Sequence, residues 1–156
     1  FDHALAILRD VLVQPMKGTR TDLALALKTG ASLLKQRSVV FVLSDFLAAD
    51  YEKPLKILRR RHDVVAMPIT DPLETALPAR GLVRLRDAET GVTRVFDAGD
   101  AVFRAAWQKR GRPFPDPTEV FRTAGVDSIP LTTDAPYERA LVRFFKERER
   151  RRSAGR

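Results

Sequence analysis

Cysteine is absent from the 156 residues. That excludes a disulfide framework, a thiol nucleophile and Cys-ligated zinc, and it fits a reducing compartment. Histidine is nearly absent, with two in the chain. His3 has no second histidine, cysteine or paired carboxylate at ligand spacing, so it reads as a surface residue. No apolar run approaches the length of a membrane span. The chain opens on Phe1, and Asp2, His3, Arg9 and Asp10 interrupt its first sixteen residues, which is unlike a signal peptide. The expectation is a piece cut from a longer protein, cytoplasmic in this part. There are no internal repeats, no Gly-rich run leading into Lys-Ser/Thr, no GxGxxG and no GxSxG.

What is present is one domain's worth of ordinary globular composition, 44% hydrophobic and 31% charged, enough to bury a core. The net charge is +8. Half of it comes from Lys146 to Arg156, where six Lys/Arg face two Glu. A second cluster, Arg59-Arg60-Arg61-His62, falls in the last turn of a predicted helix, where cations complement the dipole and satisfy carbonyls. No aromatics are interleaved with these runs and no helix-turn-helix appears, which argues against nucleic acid as the partner.

The organising stretch is Ser38 to Phe46. Val39 to Leu43 are five consecutive apolar residues, three of them β-branched, which predicts a strand over 38–44 buried on both faces, as in the middle of a parallel sheet. It ends in Ser44-Asp45. Carboxyl ends of strands are where open α/β sheets place their sites, so Asp45 is a candidate site residue, or else the cap of the following turn. Before it, helices are predicted over 2–13, with Leu5, Leu8 and Leu12, and over 22–36, with Leu23, Leu27, Gly30, Ala31 and Leu34 as the buried stripe and Thr21 or Asp22 as N-cap. After it comes a helix over 51–61, capped by Asp50, and a second apolar strand over 64–69 that also ends in an acid, Asp71. Strand, helix and strand make a βαβ unit.

From Gly81 a hairpin over 82–96 is predicted at the sheet's margin, then a helix over 101–109 that turns Phe103, Ala106 and Trp107 to the core. Prolines at 113, 115 and 117 break the chain before a short helix over 118–124. A third parallel strand, 126–131, contains Pro130, which places it at an edge. Thr132-Thr133-Asp134 are expected to cap a last helix with the stripe Tyr137, Leu141, Phe144 and Phe145. The expected domain is 1–150, followed by a basic disordered tail over 151–156. A nucleophilic pairing of Ser44 with His62 fails, because His62 precedes its strand whereas Ser44 ends one.

The stretch Thr21-Asp-Leu-Ala-Leu-Ala-Leu, the run Leu33-Leu-Lys-Gln-Arg-Ser38 and the strand end Leu43-Ser-Asp-Phe46 together resemble the second half of a von Willebrand factor A-type domain. More narrowly they resemble bacterial proteins carrying the domain of unknown function fifty-eight, often encoded beside MoxR-type AAA+ ATPases. Arg60-Arg-His-Asp-Val-Val-Ala66, Asp71-Pro72, Asp87-Ala-Glu-Thr-Gly91 and Thr133-Asp-Ala-Pro-Tyr137 with Arg143-Phe-Phe145 extend the resemblance over about 18–150. It implies a doubly wound, Rossmann-like α/β parallel sheet, here partial, with helices on both faces and an inserted hairpin. It also implies a metal-ion-dependent adhesion site for Mg²⁺ or Mn²⁺. Thr21, with Thr19 a weaker candidate, matches that site's threonine, and Asp45 matches its aspartate. The site's Asp-x-Ser-x-Ser motif does not occur in the chain, so the metal site would be half present and this piece would bind no metal by itself. Ser44, Phe46 and Asp71 are candidates for contact with a partner.

The function implied is a non-enzymatic interaction module that works with a MoxR-type ATPase and grips other proteins through a carboxylate, in a full-length protein that is either free or membrane-anchored. The alternative is an Mg²⁺-dependent hydrolase or phosphoryl-transfer domain using Asp45 and Asp71. The resemblance further implies that the strand ending at Asp45 pairs on its far side with a strand upstream of Phe1. Val39 to Leu43 would then be an open edge, and the stripe Leu23/Leu27/Leu34 would be uncovered with it.

Overall fold

The computed structural model describes residues 5–6, 9–10, 13, 21–72, 77–87, 90–109 and 116–154. Of the helix expected over 2–13, Leu8 and Leu12 lie outside these, as do Thr19 and prolines 113 and 115. Leu5 and Val13 are exposed.

Helix α1, Leu23–Leu33, starts where Asp22 accepts the Leu25 N–H at 2.8 Å, so Asp22 and not Thr21 is the N-cap. It ends before 36, because Leu34 is already extended and closes the last turn by donating to the Gly30 carbonyl at 3.0 Å. Strand β1, Val39–Ser44, then runs parallel to β2, Asp63–Thr70, with Val39 opposite Asp63 and Ser44 opposite Pro68. Helix α2, Glu52–Arg61, is the crossover. Asp50 is not its cap: the N-cap position is Tyr51, which makes no side-chain capping bond, and Asp50 itself has φ 59°. The arginines of its last turn serve neighbouring helices, Arg59 Nε donating to the Gly125 carbonyl at 2.8 Å and Arg61 Nη1 to the Ala31 carbonyl at 3.5 Å.

The third strand is split. Asp127–Ser128 (β5) and Leu131–Thr132 (β6) both pair in parallel with β2, and between them Ile129 still donates to the Ala66 carbonyl at 2.8 Å. Pro130 has no N–H to give, so the ladder lapses at that point, on the side of β2 away from β1. The spatial order is therefore β1, β2, then β5 and β6, as the alternation of apolar runs predicts.

Helices cover both faces. On one side α1, α2 and helix α4, Pro117–Ala124, pack Leu23, Leu27, Ala31, Leu55, Leu58 and Phe121 against Val64 and Ala66 of β2, with Val40 and Val42 of β1 half-buried alongside. Each fully buried leucine there contributes roughly 1.5–3 kcal/mol. The stripe Leu23/Leu27 is thus covered, contrary to expectation, because α2 and α4 complete that layer within this chain. Helix α4 is well specified locally: Asp116 accepts the Thr118 N–H at 2.9 Å, Pro117 sits in the first turn where no donor is lost, and Gly125 takes the left-handed φ of 64° that ends it. On the other side lies helix α5, Tyr137–Ala154, whose Phe144 packs with Val65, Met67 and Ile129. Arg148 of α5 binds Asp63 and lies 3.5 Å from Asp127, which ties the helix to the amino ends of β2 and β5.

Five further expectations are corrected. β1 is not buried on both faces: Val39, Phe41 and Leu43 are exposed, and the strand buried on both sides is β2, from Val64 to Met67. The hairpin, Leu82–Arg86 (β3) with Thr93–Asp97 (β4), is a separate antiparallel sheet and not the margin of the parallel one. Helix α3, Ala101–Lys109, turns Phe103 onto Phe96 of that hairpin, stacked at 4.5 Å, and leaves Ala106 exposed. Thr132 belongs to β6 and a turn follows it, so α5 begins only at Tyr137. Its helix runs on through 151–154, residues expected to be disordered.

Candidate functional site

The carboxyl end of β1 is built by three consecutive residues, each with a different duty. Ser44 Oγ accepts the Phe46 N–H at 3.0 Å, and Asp45 Oδ1 accepts the Leu47 N–H at 3.0 Å and lies 3.4 Å from Ser44 Oγ. These side-chain bonds let the chain leave the strand abruptly. Phe46 completes the turn at φ 54°, a conformation that a bulky side chain adopts only when its surroundings hold it there. The hold is visible. Its ring is 0% exposed, edge-on to Phe121 at 4.8 Å and tilted against Tyr51 at 5.5 Å. Phe46 is therefore a core residue that pins the loop, which removes it from the candidate partner surface. Asp45 is left exposed, held in place from both sides.

Asp71 follows the end of β2, and the parallel register puts it at the same sheet edge as Asp45, one strand over. Thr21 is exposed just ahead of the α1 cap. Thr19 lies outside the described residues. His62 is at the opposite end. Its Nδ1 accepts the Ser38 N–H at 3.4 Å, and the register sets Ser44 six residues further along, roughly 20 Å away, so no Ser–His pair forms.

Thr21, Asp45 and Asp71 offer hard oxygen atoms, the right kind for Mg²⁺, but an octahedral ion needs more of them than this. Among the described residues no group of three or more His, Asp or Glu is arranged to hold a metal.

Sequence reasoning missed what lies beside this edge. An apolar groove of about 470 Å³ opens on the α5 side, between Leu43, Met67 and Ile69 of the strands and Leu131, Tyr137 and Leu141. Its signal was the apolar stripe of α5, of which Tyr137 is exposed. The other buried polar groups are structural. The Tyr51 hydroxyl and His62 Nε2 have no hydrogen-bond partner among the described residues. Burial first, and then the negative charges of Asp116 and Glu52, push the Tyr51 hydroxyl above its ordinary value.

Comparison with known proteins gives the family. A family described as a protein of unknown function, DUF58, matches residues 1–113. The chain belongs to the DUF58 family. Among its relatives, the uncharacterized protein MAV169 of Mycobacterium avium is 36% identical over 154 residues, covering 96% of this chain and 90% of its own length. The uncharacterized proteins Rv1480 of Mycobacterium tuberculosis and Mb1516 of Mycobacterium bovis are each 33% identical over 160 residues, covering 98% of this chain. The chain spans about half the length of these two relatives, 49%. No solved structure matches it. No helix among the described residues is long and apolar enough to cross a membrane.

Proposed function

We propose that this DUF58 chain is a non-enzymatic interaction module of von Willebrand factor A type that works with a MoxR-type AAA+ ATPase in assembling or remodelling a bacterial complex. Its contact edge is the carboxyl end of the parallel sheet. The observation that carries the proposal is the presentation of Asp45: an exposed carboxylate held by Leu47 N–H and Ser44 on a turn anchored by buried Phe46. A Ser–His nucleophilic pair is ruled out, since Ser44 and His62 stand at opposite ends of the sheet. Thr21 and Asp45 would share an Mg²⁺ or Mn²⁺ ion with further oxygen ligands, and a partner's carboxylate would take the ion's open position.

The test is retention of a purified MoxR-type ATPase from the same organism by the immobilised protein, with Mg²⁺ and with chelator. Binding that falls at least tenfold with chelator and with Asp45→Ala is expected. Binding indifferent to both, or none at all, refutes the proposal. Metal-dependent phosphatase activity lost in both Asp45→Asn and Asp71→Asn would favour the hydrolase reading instead.

A further inference from the structure

At the other end of the sheet from Asp45, where α1 and α2 deliver the chain to the amino ends of β1 and β2, the surface opens into a pocket of about 210 Å³. Its walls are the end of α1, the loop before Ser38 and the junction Arg61-His62. Lys35, Arg37 and Arg61 are exposed and form its rim, while His62, 2% exposed, forms its inner wall. No carboxylate lines it. Among the described residues none of the three cations is paired with an acid, so their charges stand unneutralised around one hollow, an arrangement that draws anions.

The inner wall points the same way. His62 Nδ1 accepts the Ser38 N–H at 3.4 Å, which leaves the ring proton on Nε2 and makes that nitrogen a donor. Nε2 is buried and has no partner among the described residues. Buried donors in folded proteins are nearly always satisfied, so an acceptor in the pocket would complete this one. Two helix carboxyl ends lie nearby and oppose an anion, but each amounts to about half an elementary charge, against three whole cations. Their carbonyls are also engaged: Gly30 accepts from Leu34 N–H, Leu58 from His62 N–H and Ala31 from Arg61 Nη1. Arg61 keeps its remaining N–H groups for a ligand.

The pocket is smaller than the roughly 300–1,000 Å³ of a drug-sized ligand's site, so it suits one ionic group and not a whole nucleotide. A carboxylate is planar and carries a single charge. A phosphate group carries about −1.5 to −2 charges at pH 7 and directs its oxygens toward rim and wall at once. We propose that this pocket binds a phosphate dianion, free or as the end group of a small monoester, held by Lys35, Arg37 and Arg61 at the rim and by His62 Nε2–H at the wall. The site is independent of the contact edge at Asp45.

The test is a titration of the ¹⁵N-labelled chain, at one fixed pH above 7, with inorganic phosphate, with glycerol 3-phosphate and with sodium chloride of matched ionic strength. Nuclear magnetic resonance reads the Ser38 and His62 backbone amides and the His62 ring. Both amides should shift saturably with phosphate and not with chloride, and the Nε2–H signal should move with them. In the double variant Lys35→Gln/Arg37→Gln, changed only at exposed positions, affinity should fall at least about tenfold. Tighter binding of glycerol 3-phosphate than of phosphate assigns the ligand as an ester, and equal or weaker binding assigns it as free phosphate. Shifts that do not saturate, that chloride reproduces or that the double variant retains overturn the proposal. So does an Nε2–H signal that stays still while the amides move.

Discussion

Phe46 tests whether the turn beyond β1 is held by its core residue, and two truncations at this one position separate two terms. Phe46→Ala removes a fully buried ring and its two aromatic contacts, at 4.8 Å to Phe121 and 5.5 Å to Tyr51. Truncations of that kind cost about 3–5 kcal/mol. A loss near 4 kcal/mol is a large share of the stability of a small domain, which is typically about 5–15 kcal/mol. Phe46→Gly leaves nearly the same cavity but relieves the backbone, since φ 54° costs a residue with a Cβ roughly 1–2 kcal/mol that glycine does not incur. The glycine variant should therefore be the more stable of the two by about 1 kcal/mol. At an ordinary position the order is reversed, glycine being the worse by roughly 0.5–1 kcal/mol. Urea unfolding followed by circular dichroism at one fixed chain concentration reads both differences, the fixed concentration excluding changes in association. An alanine variant that loses less than about 1 kcal/mol, or a glycine variant less stable than the alanine one, would refute this account of the turn.

Tyr51 governs the alkaline limb. Its hydroxyl titrates above the ordinary value of 10.0 in the folded state, so the stability linked to it is whole below about pH 10 and is lost as pH rises from there through the folded value. Tyr51→Phe should flatten that loss in pH-dependent melts and cost little or nothing at pH 7, where the hydroxyl has no partner among the described residues. Arg148→Ala should lower stability by about 1–3 kcal/mol in urea, since among the described residues Asp63 then keeps only Arg152 at 3.9 Å, while Arg152→Ala, on an exposed side chain, should cost less than about 1 kcal/mol; equal losses would mean that α5 is not tied down through Arg148. Calorimetric titration of this chain with Mg²⁺ or Mn²⁺ should show no tight stoichiometric binding, and a tight isotherm abolished by Asp45→Ala would show instead that Thr21 and Asp45 suffice.

The elements that carried their own local chemistry were legible in the sequence. Asp116-Pro117 with Gly125 marks α4 at both ends, and the acid-terminated runs at 38–45 and 64–71 give a parallel pair whose register places both acids at one edge. The duties of residues within the site were less so. Phe46 reads as exposed because it follows a polar Ser-Asp pair, and only the positive φ turns its ring back into the core between Tyr51 and Phe121. The hairpin was misplaced for a related reason. Its apolar positions show that one face of it is covered, but not by what, and the cover proves to be the neighbouring helix through Phe96 and Phe103.

Val39 to Leu43 and Val64 to Met67 are both unbroken apolar runs, yet only the second is dry on both sides. The difference follows from the arithmetic of layers. A helix with its side chains is about 10 Å across and strands stand about 4.8 Å apart, so one helix covers roughly two strands. On one face of this sheet three helices, α1, α2 and α4, lie over the strands. On the other face, among the described residues, the core is closed by α5 alone, which sits over β2 and the split third strand through Phe144 and Leu141. One strand must then go bare on that face. It is the outermost on the far side, β1, whose Val39, Phe41 and Leu43 stay in water while Val40 and Val42 are partly buried on the other. An apolar run records which residues a protein will remove from water in its working state. In β1 that removal is unfinished among the described residues, where no strand pairs with its outer side and no helix covers Val39, Phe41 and Leu43 fully.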